Sequence, residues 1–586
     1  MKRCPQCNRV ETDETLKFCR VDGATLISES PTVNSEAGTG QFGSATASAE
    51  IETSILPHKT NDGVSRTTGR TTALPTPSTG STGTLAKTKS HKTLIMIAVV
   101  VIIAIGLIIG LGIAGYSYLA SRNNSAIESI AVLPFENRGR TVDTDYLSDG
   151  LADSLIYRLS QLPNLKVSPT SSVMKYKGQA TDVGAIAKEL QVDAVLSGRL
   201  MQQGDNLSIS VQLVDSRNNK LIWAEQYERK MSDLLATQRE IATSIAQKLQ
   251  LKLAGNETGI TKKYTNSNDA YQLYLKGRYH YAKRTKEDLQ KGIDYFQRAV
   301  ELDPNFALAY AMIADSYASM PAYPYLSPSE AFPKAKAAAQ RAVEIDQTLS
   351  EAHSALGYSL ALYDWKWSEA ERAFKRAIEL DEKNSLAHVR FAISYYQPTG
   401  RVAEAVAENE RAVELEPVNL VARANLTWAY IMAGRNGDAL GNGEKLRDLE
   451  PDFGLGRYQL GLAYIVNGMY QQAIELTQKP LRSDPNNQLM LQVAGYANAK
   501  LGKRNEANAV IARFKEIGKT QYVMSFFVAT IHAGLGEKDK AFVELEDAYR
   551  QHDWRMSAVI KTEPMIESLR EDARYKDLLK RMNLPE

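Results

Sequence analysis

The spacing of apolar residues divides this 586-residue chain into stretches with different physics. Residues 28–92 hold few large apolar side chains and are rich in Ser, Thr, Gly and Pro, as in TTGRTTALPTPSTGSTGTLAK. Such a stretch cannot bury enough surface to fold, so it is expected to be a disordered, flexible tether. Residues 93–119, TLIMIAVVVIIAIGLIIGLGIAGYSYL, carry no charge. About 20 apolar residues in a helix span a bilayer core, so this run predicts one transmembrane helix. It starts too deep in the chain for a cleavable signal peptide.

Between residues 126 and 255 two periods alternate. Ile130–Phe135 (IAVLPF) reads as a buried strand, and Leu165–Ser168 as a short one. Leu147, Leu151, Leu155, Ile156 and Leu159 recur at helical spacing within Tyr146–Gln161, and Val183–Leu190 reads as a second helix. Three strands follow at Ala194–Met201, Leu207–Val214 and Leu221–Tyr227, with turn residues at 203–206 and 216–219. In the middle one, Ile209, Val211 and Leu213 alternate with Ser208, Ser210 and Gln212. A helix from Ser232 to Leu253 closes an α+β domain with helices on a sheet. Asp149 and Asp153, four apart near a helix start, read as a solvated face.

From residue 269 to 586 the pattern is helical and repeats. Pro417, Pro451 and Pro485 are spaced by 34 (451 − 417, 485 − 451), and Ala405, Ala439, Ala473, Ala507 and Ala541 keep the same step. Tyr430 and Tyr464 do so as well. This period resembles that of the tetratricopeptide repeat (TPR). Each unit is a helix pair whose exposed apolar face the next unit covers. The small alanines let paired helices approach, and the prolines end second helices. About eight units fit. The second contains the insert Met320–Pro333 and the third contains Asp364-Trp365-Lys366-Trp367, while Pro564–Leu579 resembles the helix that caps such arrays. In the family register, positions 2, 5, 9 and 12 of a repeat face the concave groove. The resemblance places Trp428, Ile431, Tyr458, Leu462, Tyr496 and Phe526 there. That set is apolar and aromatic. It lacks the Lys/Asn/Arg group with which chaperone-binding TPRs hold a carboxylate. The implied partner is therefore a protein or peptide with an apolar or amphipathic segment.

Charge changes the picture only by exclusion. Lys+Arg is 70 against Asp+Glu 68, a net charge of +2, so no basic field for nucleic acid exists. The three cysteines sit in MKRCPQC and KFCRVDGATL. Residues 1–27 resemble short bacterial zinc-ribbon modules, with Asp22 where the fourth Cys would stand. A Cys4, Cys7, Cys19, Asp22 zinc site is the implied cofactor. Lys87, Lys89, His91 and Lys92 precede the apolar run and only Arg122 follows closely. The positive-inside rule then sets the N-terminus in the cytoplasm of a bacterial inner membrane and the repeats outside. Gly106, Gly110 and Ala114 form a small-residue stripe suited to packing two such helices as a homodimer. No Walker A loop, G-x-S-x-G elbow, HExxH pair or kinase set appears, so no enzyme is expected.

The segments IAVLPFENRG, YLSDGLADSLIYRLSQLPNLKV, AVLSGRLMQQGDNLSISVQLVDS and LIWAEQYER are similar to the TolB amino-terminal-like (FlgO-like) domain. In bacterial membrane regulators of the CadC and adenylate-cyclase type, that domain often precedes TPR arrays. The resemblance implies an interaction or sensing role without catalytic residues. The expectation is a multidomain, single-pass membrane scaffold or adaptor: zinc ribbon, transmembrane helix, α+β domain, all-α TPR solenoid. Two alternatives are a regulatory or degenerate relative of a TPR-linked kinase, cyclase or glycosyltransferase, and a transcription-regulator relative lacking its DNA-binding domain.

Overall fold

The structure is a computed structural model describing residues 2–3, 10–11, 27–28, 127–139, 144–162, 165–179, 182–249, 262–417 and 419–584. Residues 1–101 and 102–586 form two units, each taken by itself. In the first, Lys2–Arg3 pairs antiparallel with Val10–Glu11 and with Ile27–Ser28. The zinc ligands Cys4, Cys7, Cys19 and Asp22, the tether, and the apolar run with Gly106, Gly110 and Ala114 lie outside the described residues. Among the described residues, no helix is long and apolar enough to cross a membrane. No group of His, Cys, Asp and Glu among them could hold a metal.

The second unit opens with a mixed sheet. Ser129–Val132 lies between Lys166–Val167 and Ala194–Gln203, parallel to both. Ala194–Gln203, Asn206–Asp215 and Lys220–Lys230 then run antiparallel in one meander. Alternation decides the faces: Leu207, Ile209, Val211 and Leu213 are buried, while the residues between them are not. Helices Asp145–Ser160 and Leu234–Lys248 pack against each other beside the sheet and supply Leu147, Leu151, Leu155, Ile241 and Ile245 to the core.

Eight helix pairs follow among the described residues. The first is Asn268–Tyr281 with Lys286–Leu302, and the eighth is Ser525–Gly534 with Lys538–Arg550. The alanine column at 405, 439, 473, 507 and 541 is fully buried. Asp303, Glu416, Glu450 and Asp484 leave the helical region before a proline, as that ring requires of its predecessor, and Asp346 and Asp381 end their helices in the same conformation without one. In repeats four to eight the turn between paired helices holds Gly400, Gly434, Gly468, Gly502 and Gly536, with φ between +68° and +79°. The same turn position, two residues before a helix start, holds Arg284 in the first repeat (φ 58°) and Trp365 in the third (φ 52°). It holds His552 (φ 51°) before the short helix Trp554–Val559.

The last stretch is not one capping helix. It divides into Trp554–Val559, a 3-10 segment Pro564–Leu569 and the helix Ala573–Arg581. Arg574 bonds Asp539 and Arg581 bonds Glu546, so the final helix does cover the eighth repeat.

Candidate protein-binding cleft and a self-occupied groove

The curl of the array brings its C-terminal end back onto its third repeat. Trp365 Nε1 donates to Ser557 Oγ (3.0 Å), Trp367 Nε1 to the Met582 carbonyl (2.9 Å), and Trp554 Nε1 to Tyr358 Oη (2.7 Å). The Trp365 ring stacks on His552 (centroids 4.4 Å apart) and on Tyr549 (5.1 Å). The concave groove is thereby filled from within. Trp554 stacks on Trp428 at 5.9 Å, and the Arg555 guanidinium lies over the Trp428 ring at 4.1 Å and over Tyr458 at 5.4 Å. Arg555 also pairs with buried Glu563 (3.4 Å). Asp553 fixes the inserted helix by accepting from the backbone N–H of Phe526, Arg555 and Met556. Burial pushes its carboxyl up to about 6.

All six groove residues named from the sequence are buried. Trp428 and Tyr458 come together under Trp554 and Arg555 and line a pocket of about 100 Å³. Ile431, Leu462, Tyr496 and Phe526 belong to the packed core and do not line it. The groove is also not wholly apolar, as the repeat register had implied. Arg284, Arg390 and Arg555 line this cavity, and repeats one and four supply the first two. Arg390 pairs with Asp315, which also accepts from Tyr281 Oη. Burial lowers the Arg390 guanidinium to about 10, so it stays cationic at neutral pH. Register arithmetic confined to repeats five to eight missed these arginines. One signal could have found part of the set: the turn that holds glycine in repeats four to eight holds Arg284 in the first repeat and Trp365 in the third.

A second opening separates the α/β region from the inner face of the solenoid. The two are joined at the first repeat. Tyr271 Oη lies within hydrogen-bond distance of Ser154 Oγ (2.8 Å) and of Gln238 Oε1 (2.7 Å), and Arg278 pairs with Asp153 (2.7 Å). Farther on, Lys383 Nζ reaches the carbonyls of Leu162 and Leu165 (3.0 and 3.2 Å). Between these ties lies a cleft of about 1530 Å³. Asp149 and Asp153 line it and do not form the solvated face expected of them. Asp149 is 8% exposed and accepts from Lys177 (2.8 Å). Burial pushes Asp149 up against the pull of Lys177. Burial works to lower the Lys177 ammonium, but the carboxylates of Asp149 and Asp145 outweigh it and hold it above its usual value. From the fourth to sixth repeats, Leu386, Val389, Leu420 and Phe453 give the cleft an apolar patch, bordered by Lys383, Arg411 and Glu414.

Comparison with known proteins divides the chain in the same way. Residues 125–247, expected from their motifs to be TolB amino-terminal-like, match instead the family model described as the HilA/YgeH-like transcriptional regulator, second domain. Residues 281–306 match the tetratricopeptide repeat model. A putative adenylate cyclase 3 of Rhizobium meliloti (strain 1021) is 30% identical over 187 residues, 32% of either chain. The transcriptional regulator HilA of Salmonella typhimurium is 26% identical over 236 residues, 39% of this chain and 40% of that protein. The chain thus spans about a third to two-fifths of the curated relatives it matches. Among solved structures, YrrB, a TPR protein with an unusual peptide-binding site, is 20% identical, covers 33% of this chain and 95% of its own, and gives a TM-score of 0.24. With its repeated helix pairs and its repeat-model match, the chain carries a TPR-like solenoid joined to an α/β region.

Proposed function

We propose that the protein is a non-catalytic interaction scaffold that seats an amphipathic segment of a partner protein in the cleft between the α/β region and the solenoid. The observation that carries this is the make-up of the cleft walls. Leu386, Val389, Leu420 and Phe453 offer an apolar patch bordered by Lys383, Arg411 and Glu414, and the paired charges of Asp149 with Lys177 and Asp153 with Arg278 line the cleft where the α/β region meets the first repeat. An amphipathic helix lays its apolar stripe on the patch and meets the charged lining with its polar face. The groove proper already holds the chain's own Trp554 and Arg555, so the cleft is where a partner enters. A photo-crosslinking residue placed at Leu386 should capture a discrete partner that one at Val543, exposed on the eighth repeat, does not. Identical products at both positions would dismiss the cleft as the site.

The same reading makes the protein single-pass in a bacterial inner membrane, with its N-terminus cytoplasmic and the repeats outside. Its support is the charge-free run at 93–119 and the lysines before it. Protease added to spheroplasts should remove a C-terminal tag and spare the N-terminal fragment; a protected tag would reverse the orientation. Zinc on Cys4, Cys7, Cys19 and Asp22 belongs to this reading, and one equivalent per purified chain, lost in Cys7→Ser, is expected. So does pairing through Gly106, Gly110 and Ala114, which Gly110→Ile should abolish in a membrane crosslinking assay.

A second reading, a relative of transcription regulators without its own DNA-binding domain, draws on the HilA matches. Transcript levels unchanged by deletion of the gene would dismiss it. The match to a putative adenylate cyclase covers 32% of that protein and brings no cyclase chemistry here.

A further inference from the structure

The pocket under Trp554 is lined by three arginines and no carboxylate. Its other walls are mostly apolar, with Val389, Ile393 and Leu455 beside the aromatic rings of Tyr358, Trp428 and Tyr458. Asp315 and Glu563 stand behind Arg390 and Arg555 and line no part of the space. Arg284 differs from the other two. Its guanidinium donates to Ser319 Oγ (3.2 Å) and lies 3.9 Å from the Tyr281 ring centroid, and no carboxylate pairs with it among the described residues. Among the lining side chains, two further donors, Trp428 Nε1–H and Arg555 Nε–H, and one acceptor, Gln459 Oε1, are buried without a hydrogen-bond partner. An unmatched buried donor costs about 1–3 kcal/mol, and here two such donors share a small cavity with a cation that lacks a counter-charge. Arg284 also holds the left-handed turn position that repeats four to eight give to glycine. That conformation disfavours a side chain by about 1 kcal/mol.

We propose that this cavity binds a small oxyanion, a carboxylate or phosphate group, with Arg284, Trp428 and Arg555 as its donors. A volume of about 100 Å³ is on the order of one small ring or a few water molecules, which excludes a macromolecular ligand. The aromatic walls suit an anion carried on a flat apolar body. Entry is from the large cleft, because Tyr281, Arg284, Leu386, Val389 and Val421 line both spaces. The site shares Leu386 and Val389 with the protein-binding cleft, but its anion donors Arg284, Trp428 and Arg555 play no part in that reading.

Calorimetric titration of the purified full-length protein with benzoate, with inorganic phosphate and with benzyl alcohol tests this. Saturable binding of at least one anion is expected, with the neutral alcohol about tenfold weaker or worse. Tighter benzoate identifies an organic carboxylate, and tighter phosphate the free ion. Arg284→Gly supplies the residue this turn otherwise uses, so the fold should survive while anion affinity falls about tenfold. Trp428→Phe keeps the ring, removes the N–H, and should lower affinity in the same direction. No saturable heat with either anion, an alcohol that binds as tightly as benzoate, or unchanged anion affinity in both variants would overturn the proposal.

Discussion

Repeats four to eight and the places where the array closes on itself use the same turn in opposite ways. In the regular repeats a glycine takes the left-handed position, and at Gly434, Gly468, Gly502 and Gly536 no atom stands within 4 Å of where a Cβ would sit. Those turns are conformational devices and nothing more. At Trp365 and His552 the same backbone carries large side chains that stack on each other across the join. At Arg284 it carries a cation that lines the pocket under Trp554. A side chain kept where glycine is easier marks a contact made elsewhere in the molecule. The difference separates the residues that build a repeat from those that bend the array into a closed form.

The largest effect should come from the join. Trp365→Ala removes the stack with His552 and Tyr549 and the bond to Ser557, and should cost about 3–5 kcal/mol in denaturant unfolding. Trp365→Gly should be about 1 kcal/mol milder, since glycine suits the turn. If alanine and glycine behave alike, the backbone argument is wrong at this position. Next in size, Gly468→Val in a regular turn should cost about 1–2 kcal/mol from the backbone alone, with no change in partner capture at Leu386. A neutral result would mean the turn relaxes easily and the glycine column has another cause. Smaller again, Trp554→Phe preserves the aromatic stack on Trp428 and loses one hydrogen bond to Tyr358, for about 1 kcal/mol.

The smallest is a pH effect. Asp553 is raised by burial to about 6, while an aspartate in the unfolded chain titrates near about 3.9. The folded state therefore takes up the proton first as pH falls, and this group's contribution to stability grows between pH 7 and pH 5 by about 1 kcal/mol. It is lost again as pH rises through the folded value. Burial shifts Glu351 and Glu563 in the same sense and lowers His532 and His552, which act oppositely. The informative quantity is thus the difference between the wild type and Asp553→Asn. Parallel pH profiles of melting temperature for the two proteins would contradict the assignment.

Elements of the α/β region were legible because each follows from a local period. Ile209, Val211 and Leu213 alternate and are buried; Leu147, Leu151 and Leu155 recur every four residues and are buried as well. The strand Ile130–Phe135 was read too long. The ladder on Ala194–Gln203 ends at Val132, and Glu136–Asn137 resumes it farther along the same partner. Solenoid helices were legible for a similar reason, since the prolines and alanines recur in step. Of the candidate groove, Trp428 and Tyr458 were found at the cavity, but their covering by Trp554 and Arg555 was not. Those residues are more than 90 positions away in sequence (554 − 428 and 555 − 458), and no period links them. Asp149 and Asp153 depart from the expected solvated face for the complementary reason: their spacing is that of a surface stripe, and only docking onto Arg278 and proximity to Lys177 show why they are withdrawn from solvent.

By itself, then, the sequence determined what nearest neighbours decide: the order of helices and strands, the 34-residue unit, and the apolar faces that stack one repeat on the next. Those are set by side-chain periodicity and by proline and glycine backbone limits, which act over a few residues. Tertiary structure alone decided the curl that returns Trp554 to Trp428, the arginines gathered from repeats one and four and the C-terminal helix, and the cleft between sheet domain and solenoid. Small rotations between successive repeats add along the array, so where its two ends meet depends on all of the interfaces together.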